Sequence, residues 1–264
     1  MGISLLLLIG SGAGLISYYS GYRQEQELHD RLQKVKEEYV TADDSKQNSD
    51  KAGKEEADRT EPMQGTPDAA ELKKALLSIN PDYVGWLDLP DTDISFPVVY
   101  RDNEFYLSHD FEGKKNSHGS IFMDETCSEA SYVLLLHGHH MKDKTMFAGL
   151  SEYKDREYLE SHREVIFDTG EGAVPYLVYA AALIDFSEET SLAPSFHYER
   201  LPENEEELTL WQNNLKQNAY WYDSGQNLSA EPGRFLVLST CEYGTSLQRL
   251  IVVAVREDVT YGCK

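Results

Sequence analysis

Phe235-Leu236-Val237-Leu238-Ser239-Thr240-Cys241 and, after a seven-residue loop, Arg249-Leu250-Ile251-Val252-Val253-Ala254-Val255 form the stretch on which the fold turns. Both runs are dominated by branched apolar side chains and contain neither Gly nor Pro, so both read as strands. The second is apolar at odd and even positions alike, the pattern of a strand covered on both faces. If the two pair as an antiparallel hairpin, the end of one lies beside the start of the next. Cys241 and Arg249 then flank the loop Glu242 to Gln248. Arg256, the rival cation, lies seven residues further on, roughly 23 Å along an extended strand.

Cys241 has two readings. At a strand end, a thiol emerges from a rigid sheet and can serve as a nucleophile; cysteine is also among the residue types most often buried as plain core. The other cysteines are Cys127, in the polar loop Asp124-Glu125-Thr126-Cys127-Ser128, and Cys263, one residue from the end. Three is an odd count and too few for an extracellular disulfide scaffold. A Cys127–Cys263 bridge is the alternative the sequence does not favour.

Upstream, Leu134-Leu135-Leu136-His137-Gly138-His139-His140 runs a buried strand into a histidine cluster. A metal site is one reading, but adjacent residues on a strand point to opposite faces. No Cys or carboxylate completes a zinc set at familiar spacing, so neither metal nor any other cofactor is expected. A satisfied structural histidine and a general acid/base are the remaining readings, and His139, directly after Gly138, is the candidate for the second. Thiol, imidazole and guanidinium together are the parts for acyl transfer. The thiolate attacks a carbonyl, the imidazole moves protons and the cation steadies the oxyanion.

The rest of the chain frames this centre. Its 264 residues hold one sizeable domain with appendages, and 41% hydrophobic content with 17 Tyr supplies a core. A net charge of -22 argues against a nucleic-acid partner, which requires a basic face. Ile3 to Tyr19 is apolar, near the lower limit for a bilayer-spanning helix. No basic start precedes it and no small-x-small cleavage site follows, so residues 1–22 read as an uncleaved membrane anchor with the bulk of the chain outside the cell. Gly10-Ser11-Gly12-Ala13-Gly14 lies inside this run without a preceding strand and is no phosphate loop.

Residues 23–66 read as a charged helical stalk to about Tyr39, then a disordered linker from Thr41. The folded domain spans 67–264. It opens with a helix from Ala69 to Leu77 capped by Asp68. Strands are expected at Tyr83–Leu89, Ile94–Tyr100, Ser120–Met123, Tyr132–Leu136, Glu164–Asp168 and Val174–Ile184. Lys144 to His162 and Glu203 to about Trp221 carry helical patterns. Many short strands with few helices predict a mainly β, closed or nearly closed barrel.

These residues match a family. The chain resembles sortases, the cysteine transpeptidases of Gram-positive cell surfaces, and among them class B. The family's Leu-x-Thr-Cys stands as Leu238-Ser239-Thr240-Cys241, its Gly-His as Gly138-His139 and its strand-opening arginine as Arg249. Class B features extend the match through Asn80-Pro81-Asp82-Tyr83-Val84-Gly85-Trp86, Asp102-Asn103-Glu104-Phe105-Tyr106-Leu107 and Gly119-Ser120-Ile121-Phe122-Met123-Asp124. They continue in Gly138-His139-His140-Met141 with Thr145-Met146-Phe147.

The resemblance covers about residues 70 to 256. It implies an eight-stranded sortase barrel with an N-terminal helix and a long helix before the cysteine strand. It also implies a thiol-protease-like first step, in which Cys241 attacks the Thr carbonyl of a sorting signal like Leu-Pro-x-Thr-Gly or Asn-Pro-x-Thr-Asn. His139 then moves protons and Arg249 holds backbone and oxyanion. Ser239, Glu242, Asn103 and Leu107 match groove residues; ordinary loop and core packing is their other reading.

The implied partners are surface proteins bearing such a signal, and an amine of peptidoglycan or a pilin lysine. The alternatives are a cysteine hydrolase in which water resolves the thioester, and an anchored binding module in which Cys241 is only core. The tail Tyr261-Gly262-Cys263-Lys264 matches nothing in the family.

Overall fold

The computed structural model describes residues 20–39, 67–187, 196–225, 228–241 and 247–257. Among the described residues, nine strands form a single sheet: β1 (Tyr83–Asp88), β2 (Ser95–Tyr100), β3 (Ile121–Met123), β4 (Val133–His137), β5 (Glu164–Asp168), β6 (Ala173–Asp185), β7 (Ala219–Tyr222), β8 (Phe235–Cys241) and β9 (Gln248–Arg256). Their order is β5-β1-β2-β3-β4-β8-β9-β6-β7, and an additional β5–β6 pairing closes eight of them into a barrel.

Closure depends on the length of β6. Along residues 173–177 one of its edges pairs with β5, and along 180–182 with β7, while β9 pairs with 176–185. The helices are α1 (residues 20–39), α2 (Pro67–Ile79), α3 (Arg156–Ser161) and α4 (Glu205–Asn218).

The period-2 alternation of β8 and β9 sorts their side chains between two cores. Leu236, Leu238, Leu250, Val252 and Ala254 face the barrel interior with Leu87, Val98 and Leu136. Phe235, Val237, Ile251, Val253 and Val255 face outward and are covered by Leu208, Trp211 and Leu215 of α4. Each of these helix side chains is almost fully buried and contributes about 1.5–3 kcal/mol. Two-sided covering is why β9 reads as continuously apolar.

Three helical expectations change. The Lys144 to His162 pattern predicts one helix, but Lys144 and Met146 take positive φ of 68° and 56°. The chain instead forms a 3-10 helix at Phe147–Lys154 and then α3, whose N-terminus is capped by Asp155. Phe147, Leu150 and Tyr153 recur every three residues and are all buried, the period of a 3-10 helix rather than an α-helix. The helix expected to reach Trp221 ends at Asn218, and the aromatic residues beyond it form β7. Helix α2 already contains Asp68, with Pro67 as its first residue, where a missing N–H costs nothing.

The charged segment expected to be a stalk is also helical, and α1 is docked on the domain. Leu28 and Leu32 are buried with Leu72 and Leu76 of α2, Tyr83, Trp86 and Phe111. Lys36 pairs with Asp88 and Gln33 donates to the Ser95 carbonyl at 2.8 Å. No helix among the described residues is long and apolar enough to cross a membrane. The apolar run Ile3 to Tyr19 and the linker 41–66 lie outside the described residues.

Docking α1 buries Glu25, which accepts from Asn116 Nδ2 at 3.1 Å. Burial, then repulsion from Asp110 and Asp143, pushes its carboxyl from 4.5 up to about 7. The docked helix therefore accommodates the neutral acid. Its contribution to stability is fully present below pH 4.5 and is lost as pH rises through 7. Glu25→Gln, which keeps the Asn116 contact, is expected to raise the melting temperature at pH 8 by at least ~3 °C and to change little at pH 4. Thermal unfolding at the two pH values checks this.

Candidate active site

Ser239 and Thr240 are each only 2% exposed. Cys241, the last residue of β8, is half-buried where the strand leaves the core. The β8–β9 register places Arg249 directly opposite it, so their Cα atoms are about 4.5–5.5 Å apart. Arg256 is at the far end of β9, pairing with Glu231 and donating to the Pro232 carbonyl. The thiol and guanidinium expected to be neighbours are cross-strand neighbours, and they line one cleft of about 360 Å³ with His139.

Gly138 explains how His139 reaches that cleft. A Cβ at residue 138 would lie 2.5 Å from Ile121 Cδ1 and 2.7 Å from the Phe147 ring, so only glycine lets the end of β4 pass over them. The Gly138 N–H donates to the Ser239 carbonyl at 3.1 Å, tying the histidine segment to the cysteine strand. His139 Nε2 donates to the Leu107 carbonyl at 2.8 Å, which assigns the proton of the neutral ring to Nε2 and leaves Nδ1 to accept one.

The other two histidines have different partners. His140 Nδ1 donates to the Cys241 carbonyl at 3.1 Å, and His137 Nε2 binds Asp124 at 2.9 Å.

Asp124 organises the floor. Burial alone would raise its carboxyl, but hydrogen bonds from His137 and Thr126 outweigh burial and hold it at about 2. Its Oδ2 also accepts from Asn103 Nδ2 at 2.9 Å, and Asn103 Oδ1 accepts from the Glu125 N–H. Asn103 therefore lines the cleft with both ends of its amide engaged. Leu107 lines it too, 45% exposed. Ser239 lies in the wall with its hydroxyl 2.7 Å from that of Tyr198. Glu242 lies outside the described residues.

Phe186, Tyr198 and Glu199 also line the cleft, and nothing in the sequence marked them. They flank a poorly patterned connection between β6 and α4, so only the tertiary fold brings them to the cysteine. Tyr198 is buried and stays protonated. Burial raises its phenol to about 12, against the lowering influence of Ser239 and of the nearby Arg249.

One barrel cleft thus presents a strand-end thiol, an adjoining guanidinium and an oriented imidazole. Residues 87–257 match the sortase domain. Sortase B of Staphylococcus aureus is 31% identical over 186 residues, covering 69% of this chain and 72% of that protein. The structure of a Staphylococcus aureus sortase B–substrate complex superposes with a TM-score of 0.62 at 29% identity, over 72% of this chain and 87% of that one. A sortase B complexed with triglycine gives a TM-score of 0.68 at 26% identity, over 90% and 99%. The chain belongs to the sortase family, in its class B, and is a transpeptidase of that kind.

The two described thiols differ sharply. Cys127 is 5% exposed in the outer core, where its sulfur accepts from the Leu135 N–H and burial pushes it up to about 11. Iodoacetamide applied to the folded protein at pH 7.5 is expected to alkylate Cys241 at least ~10-fold faster than Cys127. Peptide mass spectrometry over time checks it, and denaturant should abolish the difference.

Proposed function

We propose that this sortase joins proteins carrying a C-terminal sorting signal, similar to Leu-Pro-x-Thr-Gly or Asn-Pro-x-Thr-Asn, to an amine of peptidoglycan. The observation that carries the reading is the direct pairing of Cys241 with Arg249 in the cleft that His139 enters. The Cys241 thiol passes its proton to His139, and the resulting thiolate attacks the Thr carbonyl while Arg249 steadies the oxyanion. The C–N bond breaks, the leaving amine takes a proton from His139, and a thioester remains on Cys241. An incoming amine gives a proton back to His139 as it attacks the thioester carbonyl. The C–S bond breaks and the thiolate is regenerated. Asn103, Leu107, Ser239 and Glu242 shape the groove for the signal peptide.

Relatives crystallised with a substrate and with triglycine support a peptide donor and an amine acceptor. The apolar run Ile3 to Tyr19 supports a single-pass anchor that holds the catalytic domain outside the cell membrane.

Fluorogenic signal peptides incubated with the enzyme, with and without triglycine or a diaminopimelate-containing amine, test the reading by mass spectrometry of the products. An amine-joined product is expected. Free acid whatever the amine would make the protein a hydrolase. Cys241→Ala and His139→Ala should each lower kcat/KM by on the order of 10³ or more. Arg249→Ala should cost about 10²–10³ in kcat, and Arg249→Lys should not restore it.

A further inference from the structure

Among the described residues the cleft holds two carboxylates, and they differ in one respect. Every oxygen of Asp124 is engaged: Oδ1 accepts from the Thr126 N–H and hydroxyl, and Oδ2 from Asn103 and His137. Glu199 has one oxygen occupied. His197 Nδ1 contacts Oε1 at 2.9 Å, while Oε2 is enclosed and has no hydrogen-bond partner among the described residues. The Glu199 side chain as a whole is 41% exposed, so a small turn of the carboxylate brings this unpartnered oxygen to the cleft, where an incoming donor can bond to it.

The backbone that carries this carboxylate is held in place. The Tyr198 carbonyl accepts from Trp211 Nε1 at 3.1 Å, the Tyr198 hydroxyl meets Ser239, and Arg200 N–H donates to the His197 carbonyl at 3.1 Å. Glu199 is thus held from both sides in a turn built on α4 and β8. Arg249 lines the same cleft.

We propose that Glu199 is a specificity-determining residue that receives a primary ammonium group beside Cys241. This deepens the acyl-transfer reading and rests on it. One R–NH3+ satisfies Oε2, and the reaction offers two sources: the N-terminal amine of the acceptor and a lysine side chain in the signal peptide. Both present the same chemistry to the same oxygen.

Amide chemical-shift titration of the isotope-labelled full chain tests the proposal without turnover, so a failed transpeptidation assay does not bear on it. The probes are triglycinamide, its N-acetylated form, and an N-acetylated signal-like peptide with one lysine or with norleucine in its place. Triglycinamide, the lysine peptide or both should shift resonances at Tyr198, Glu199 and Cys241 more strongly than the uncharged counterparts. Glu199→Gln should weaken that binding roughly tenfold, the loss of one charge-assisted hydrogen bond. The probe that responds names the source. Equal binding of charged and uncharged probes, or equal binding by Glu199→Gln, would overturn the proposal.

Discussion

Strands β8 and β9 pair antiparallel along their length, from Phe235 opposite Val255 to Cys241 opposite Arg249. Slipping that ladder by one residue would turn every interior side chain outward, and both faces are committed. Leu236, Leu238, Val252 and Ala254 fill the barrel, while Val237, Ile251 and Val253 lie under α4. The packing of two cores therefore fixes the register, and the register sets the thiol beside the guanidinium. Neither group needs its own scaffold.

The rest of the site attaches to this hairpin. Strand β4 runs parallel to β8, so its end comes level with Ser239. Gly138 then allows the close approach over Phe147 that delivers His139. Hydrogen bonds from Gly138 and His140 to Ser239 and Cys241 lock the two segments together. The Leu107 carbonyl orients the imidazole from the opposite wall. Strong, regular pairing carries the chemistry, and loops supply the lining.

Much of this was readable in the chain because it depends on short-range pattern. Two apolar runs, the loop between them and a Gly-His after a buried strand give the barrel class, Cys241, His139 and Arg249 without coordinates. Other elements depend on what the pattern does not encode. The three-residue spacing of Phe147, Leu150 and Tyr153 separates from an α-helical one only through the backbone at Lys144 and Met146. The stripe Leu28, Leu32, Val35 on α1 is diluted by charge, and its partners lie on α2 and β1. The Asp124–His137–Asn103 network and the turn bearing Tyr198 and Glu199 are assembled from distant segments. Sequence spacing holds no trace of them.

Intact-protein mass spectrometry during turnover of a signal peptide, quenched in acid before any amine is added, tests the central claim most directly. The account predicts an adduct equal to the acyl fragment, located on Cys241 and discharged by triglycine. An adduct on another residue, or peptide cleavage that persists in Cys241→Ala, would contradict it.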